Sequence, residues 1–211
     1  MKKVAPFFFA ILSAVILTGM TSPVIAAEFK EGMHYLPVTP PQPTSSKDKV
    51  EVVELFWYGC PHCYRLEPYV NRWLKKKPDN VEFVRMPGVL NPGWELLARA
   101  YYTAEILGVV EKVHSPIFDT IHGKRKQLNS QNAIMELFKE YGVSEEDFKR
   151  TFRSFAVETK IRRAKDMGRR YQADGVPAII VNGKYRVSAS TAGGAANIFK
   201  VVDQLIKQES K

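Results

Sequence analysis

An apolar run, Val52-Val53-Glu54-Leu55-Phe56-Trp57-Tyr58, passes through Gly59 into Cys60-Pro61-His62-Cys63, and no other stretch restricts the fold of this chain as much. The β-branched and aromatic residues read as a buried strand. Gly59 breaks it. Pro61 then stands where a first helical residue belongs, because its fixed φ suits the helix and its missing N–H costs nothing there. Cys60 is therefore expected as the N-cap of a helix running to about Lys77. Its sulfur would face the free N–H groups of His62 and Cys63 and the positive end of the helix dipole.

That position favours thiolate over thiol, which makes Cys60 the better nucleophile and leaving group. Cys63, one turn on and turned inward, should keep a higher pKa and act as the resolving thiol. His62 could add a donor or, when protonated, a positive charge near the sulfur.

Other uses of a CxxC fit less well. Zinc wants four ligands, and His34, His62, His114 and His122 are scattered without a second pair at ligand spacing. A c-type haem needs His directly after the second Cys, where this chain has Tyr64. A structural disulfide across two residues closes too small a loop to stabilise much. The strand–CxxC–helix context favours a redox pair, with no metal and no cofactor expected.

Both cysteines of the 211-residue chain lie in this motif, so no structural disulfide is expected and the pair has no competitor for mispairing. Lys2 and Lys3, then an apolar run from Val4 to Leu17, then Val24-Ile25-Ala26, read as a cleaved export signal over residues 1–26. Export is expected to place the thiols in a compartment where disulfides persist. Losing Lys2 and Lys3 lowers the formal charge from +9 to +7. Clusters such as Lys75-Lys76-Lys77 carry that charge without any nucleic-acid recognition motif, so nucleic acid is not expected as a partner.

Beyond the signal, Met33 to Val38 could form an edge strand, followed by a stiff connection at Pro40-Pro41-Gln42-Pro43. After the motif helix, Val81 to Met86 alternates as a second core strand. From Pro92 the period is helical: one helix from Trp94 to a stop at Gly108, one from Val113 to Ile121, and one from Ser130 to Tyr141. Ser144 opens a long fourth, with Phe148, Phe152 and Phe155 on one face. Strand chemistry returns at Val176 to Val187, two extended runs joined by Asn182-Gly183, the pattern of a tight hairpin. Ala195 to Lys207 closes the chain as an amphipathic helix. The fold class is α/β: residues 27–91 and 164–211 form the frame, and residues 92–163 an inserted all-α domain.

With Cys60-Pro61-His62-Cys63 and Val176-Pro177 both present, nearly the whole mature chain resembles the DsbA family of periplasmic thiol:disulfide oxidoreductases. The resemblance implies a thioredoxin fold interrupted by helices. It implies Cys60 as nucleophile, Cys63 as resolving thiol, and Pro177 as a cis-proline beside the disulfide, leaving Val176 to bond an extended client. Pro61 and His62 are then the two residues between the reactive cysteines. Glu54, an acid inside the apolar strand, matches the family's buried acid, which could relay the proton of Cys63. The family carries Lys where Arg85 falls. If Arg85 pairs with Glu54, the carboxylate should stay ionised more firmly and the relay role should weaken.

The activity implied is that of a monomeric dithiol oxidase. It passes its disulfide to reduced, newly exported proteins and is reoxidised by a DsbB-type quinone reductase of the inner membrane. A disulfide isomerase or a reductase are competing redox roles. The known bacterial isomerases carry a separate dimerisation domain before the thioredoxin fold, and only a short mature stretch precedes the motif here. A periplasmic chaperone or metal carrier using Cys60, His62 and Cys63 is the non-enzymatic alternative.

Overall fold

A computed structural model describes residues 1–2 and 29–210. The export signal expected over residues 1–26 lies, Met1 and Lys2 aside, outside them. The frame is a five-stranded sheet in the order β1-β5-β4-β2-β3. Its centre is β2 (Val50–Phe56), all seven residues of which are buried. A strand covered on both faces reads as a continuous apolar run, and Glu51 and Glu54 are the exceptions in this one.

The first helix, α1 (Pro61–Leu74), carries the chain from β2 to β3 (Val81–Pro87), which lies parallel to β2. On the other side β4 (Ala178–Val181) pairs antiparallel, with Glu54 opposite Ile179. β4 turns through Asn182-Gly183 into β5 (Tyr185–Ser188). Both turn residues have left-handed φ, 51° and 65°, and with Val181 paired to Tyr185 they join Lys184 in a three-residue connection. Only glycine suits the second position, because a Cβ there would sit 2.0 Å from the Gln42 carbonyl oxygen. The edge strand expected from Met33 to Val38 shrinks to β1 (Leu36–Pro37), paired with β5.

The two faces of the sheet have separate cores. Val52, Ile179 and Val181 meet Leu66 and Val70 of α1 and Ile198, Val202 and Leu205 of α7 (Ala195–Glu209). Val53, Leu55 and Ile180 meet the helical block. That block comprises α2 (Glu95–Ile106), α3 (Val110–Phe118), α4 (Gln131–Glu140), α5 (Glu145–Phe152) and α6 (Phe155–Arg170).

Three helices differ from expectation. α1 ends at Leu74, so Lys76 and Lys77 lie outside it. α3 begins three residues earlier than Val113 and opens at its end into a π-helical turn, Asp119–Gly123. The long helix expected from Ser144 is two. Ser154 adopts extended φ and ψ, and its side chain accepts a bond from the Val157 N–H, starting α6 afresh. Phe155, expected beside Phe148 and Phe152, is consequently 77% exposed. An N-cap serine overrode a continuous apolar stripe.

Candidate active site

Cys60 has extended backbone angles and caps α1, with Pro61 in the first helical turn. Both cysteines are free thiols. Cys60 is 7% exposed and Cys63 is fully buried. The Cys60 thiol is lowered from about 9 to about 6. The largest cause is the Cys63 thiol donating to its sulfur. Burial opposes this, and the backbone N–H groups of Cys63 and His62 and then the His62 ring lower it further. No N–H makes a fully directed cap bond to the sulfur, and the free N–H groups of His62 and Cys63 act on it together from the helix start. Cys63 moves the other way: burial raises it most, and the Cys60 sulfur adds to the rise. The two sulfurs are therefore strongly unlike.

His62 is exposed, and its Nδ1 lies 2.9 Å from Arg65 Nη2. The opposite wall is the start of β4. The Val176–Pro177 bond is cis, and the Cys60 thiol donates to the Val176 carbonyl oxygen at 3.4 Å. Trp57 and Trp94 stack beside this wall with ring centres 4.5 Å apart. The Trp57 ring lies over Gly59, where a Cβ would come within 2.3 Å of it. The glycine that breaks the strand thus also makes room for the indole.

Beneath the sulfurs the sequence expectation needs correction. Arg85 does reach Glu54, with Nε 3.2 Å from Oε2, yet this does not hold the carboxylate ionised. Complete burial and the neighbouring Glu67 charge outweigh Arg85, and Glu54 is pushed up to about 8. The pairing is also poorly directed: neither Glu54 oxygen nor Arg85 Nε has a well-formed hydrogen bond. Burial wins because a charge taken out of water loses more than one oblique ion pair returns.

Residues that sequence reasoning missed extend this cluster. Arg85 Nη2 donates to Glu67 Oε2 at 3.3 Å. Glu67 Oε1 lies 3.3 Å from His114 Nε2, and His114 Nδ1 lies 2.9 Å from the Tyr58 hydroxyl. Glu54, Arg85, Glu67, His114 and Tyr58 thus form one buried polar chain. His122 Nε2 donates to the Tyr58 carbonyl at 2.8 Å and stacks on Tyr64. Glu67 was detectable as the one acid on the buried stripe Cys63, Leu66, Glu67, Val70. His114 carried no such signal.

Known proteins share the sequence and the fold of this chain. Residues 51–205 match the family described as DSBA-like thioredoxin domain. The thiol:disulfide interchange protein DsbA of Pseudomonas syringae pv. tomato is 40% identical over 200 residues, covering 95% of this chain and 93% of that protein. The DsbA of Bordetella pertussis is 36% identical over 205 residues, covering 97% and 98%. The crystal structure of Pseudomonas aeruginosa DsbA superposes with a TM-score of 0.82 at 39% identity, covering 86% of this chain and 94% of that one. Oxidoreductase DsbA of Xylella fastidiosa gives 0.78 at 29%, covering 83% and 95%. The chain belongs to the DsbA family of thiol:disulfide interchange proteins, oxidoreductases built on the thioredoxin fold.

Proposed function

We propose that the protein donates the Cys60–Cys63 disulfide to reduced exported proteins in the periplasm. A client thiolate attacks Cys60 Sγ, the Cys60–Cys63 bond breaks, and Cys63 departs as a thiolate that takes up a proton. A second client thiolate then attacks the client sulfur of the mixed disulfide and expels the Cys60 thiolate. The client loses two electrons and the cysteine pair gains them. The observation that carries this reading is the asymmetry of the sulfurs. A Cys60 thiol near 6 is a good leaving group, and buried Cys63 readily takes a proton.

Supporting roles follow from position. The edge at Val176 and Pro177, beside the Trp57–Trp94 pair, offers a backbone carbonyl and an apolar surface to an extended client. Glu54, raised to about 8 by burial, is placed to hold a proton near Cys63, whose thiol its charge raises when it is ionised. Pro61 fixes the first turn, and His62 contributes to the lowered Cys60 thiol. Residues 92–163 are read as an insertion between the two thioredoxin-fold parts, 27–91 and 164–211. Reoxidation is assigned to a DsbB-type membrane quinone reductase, acting on a monomer.

The deciding experiment is the redox equilibrium of the mature protein against glutathione, followed by trapping of clients. An oxidising pair, with mixed disulfides accumulating on Cys60 in Cys63→Ser, is expected. A strongly reducing pair overturns the oxidase reading.

A further inference from the structure

Two acids, Glu54 and Glu67, are buried on either side of a single guanidinium. One arginine cannot neutralise both, so the pair tends to hold one proton between them, and its placement depends on what else touches each carboxylate. We propose that His114, held between Tyr58 and Glu67, is a positioning residue that places this proton on Glu54, beneath Cys63, and keeps it off Glu67. The inference rests on the reading of Cys60 and Cys63 as the redox pair.

The Tyr58 hydroxyl is taken as the donor in its contact with His114, the choice that Tyr58→Phe tests. Tyr58 is buried and its phenol is raised well above its ordinary value, so the hydroxyl stays protonated and can donate. It meets His114 Nδ1 at 2.9 Å. With Nδ1 accepting, the neutral ring carries its proton on Nε2. That N–H is the group 3.3 Å from Glu67 Oε1. A carboxylate can use that N–H; a protonated carboxyl donating the other way would find no lone pair. The His114 contact therefore selects ionised Glu67, although the approach is oblique and neither atom has a fully directed bond.

Ionised Glu67 does two things to Glu54. It competes for Arg85, at 3.3 Å from Nη2, and it places a like charge nearby. Glu54 has only the Arg85 Nε, 3.2 Å from its Oε2 and without a directed bond, whereas Glu67 faces both Arg85 and His114. The titration directions agree. Burial raises Glu67, but the His114 contact and then Arg85 outweigh it and leave it below the usual range. Burial lowers His114, so the neutral ring acts through its N–H dipole; when the ring is protonated, its charge adds to that of Arg85 on Glu67. The ionisable groups facing the cluster are Glu67 from α1, Arg85 from β3, Tyr101 from α2, Glu111 from α3 itself, and Tyr58 and Cys63 at the motif.

The test is a 13C NMR titration of the glutamate side-chain carboxyls in the folded, reduced protein, with Glu54 and Glu67 assigned through Glu54→Gln and Glu67→Gln. In the unsubstituted protein Glu54 should titrate near 8 and Glu67 below the ordinary range. His114→Phe fits among Phe56, Tyr101 and Phe118, whose rings already surround the imidazole, but it offers no donor. It should lower the Glu54 midpoint and raise that of Glu67, each by about one pH unit. His114→Gln, which can both accept from Tyr58 and donate to Glu67, should restore the original values. Tyr58→Phe frees the tautomer and should move both midpoints in the same directions as His114→Phe, by less.

A structural role alone would lower the denaturation midpoint and leave the carboxyl titrations in place. Unmoved midpoints in folded His114→Phe overturn the proposal. If that variant does not fold, unmoved midpoints in Tyr58→Phe do so. The readout needs no turnover, so failure of the protein to oxidise a dithiol peptide would count against the proposed function and leave the proton placement separately decided.

Discussion

Cys60 combines two properties that usually oppose each other, near-complete burial and a low thiol pKa. Burial alone would raise it; the Cys63 thiol and the helix start outweigh that. With a value near 6, the thiolate should exceed the thiol by about tenfold at pH 7. Alkylation of the reduced protein should therefore follow a single ionisation near pH 6 and label Cys60 alone. Equal labelling of Cys63 in the folded protein would contradict the asymmetry on which the mechanism depends. The same competition governs Glu54, where Arg85 is the right partner in the right place and burial still prevails.

Among the elements, the β2–α1 junction, the β4–β5 hairpin and α7 were legible because each is written in adjacent residues. Pro61 after Cys60, Asn182 before Gly183, and the apolar spacing of Ile198, Val202 and Leu205 are local signals. The α5–α6 break was not, because Ser154 as a cap competes with a plausible helical stripe through Phe148, Phe152 and Phe155. Ser154→Ala should cost about 1 kcal/mol in urea unfolding; no loss would mean that packing, and not the cap, sets the break. Gly183→Ala should cost more than that, because its Cβ meets the Gln42 carbonyl in a left-handed turn. A stability equal to the parent protein would show that the connection at Gln42 yields freely. The polar chain beneath the site could not be read from the sequence, since Tyr58, Glu67, Arg85 and His114 come from a turn, a helix, a strand and the helical block.

Across the whole molecule, the low Cys60 pKa couples redox state to stability. Its folded value lies below the ordinary thiol value of 9. The stabilisation of the reduced form is therefore full above about pH 9 and disappears as pH falls through about 6. At pH 7 about one unit of the three remains, or about 1 kcal/mol. A disulfide across two residues restrains the unfolded chain little, so the reduced form should unfold at higher denaturant than the oxidised form at pH 7. The gap should widen at pH 8 and close near pH 5. Paired urea curves at the three pH values check this, and an oxidised form more stable at pH 7 would contradict it. The contact between Cys60 and the Val176 carbonyl has a further consequence, for the order of events during synthesis. The two groups are 116 residues apart, with the helical block between them. A chain emerging from its N-terminus presents the cysteines long before the strand that walls them arrives. The finished site therefore marks completion of the fold, and a truncated or half-synthesised chain carries the thiols without the strand that walls them.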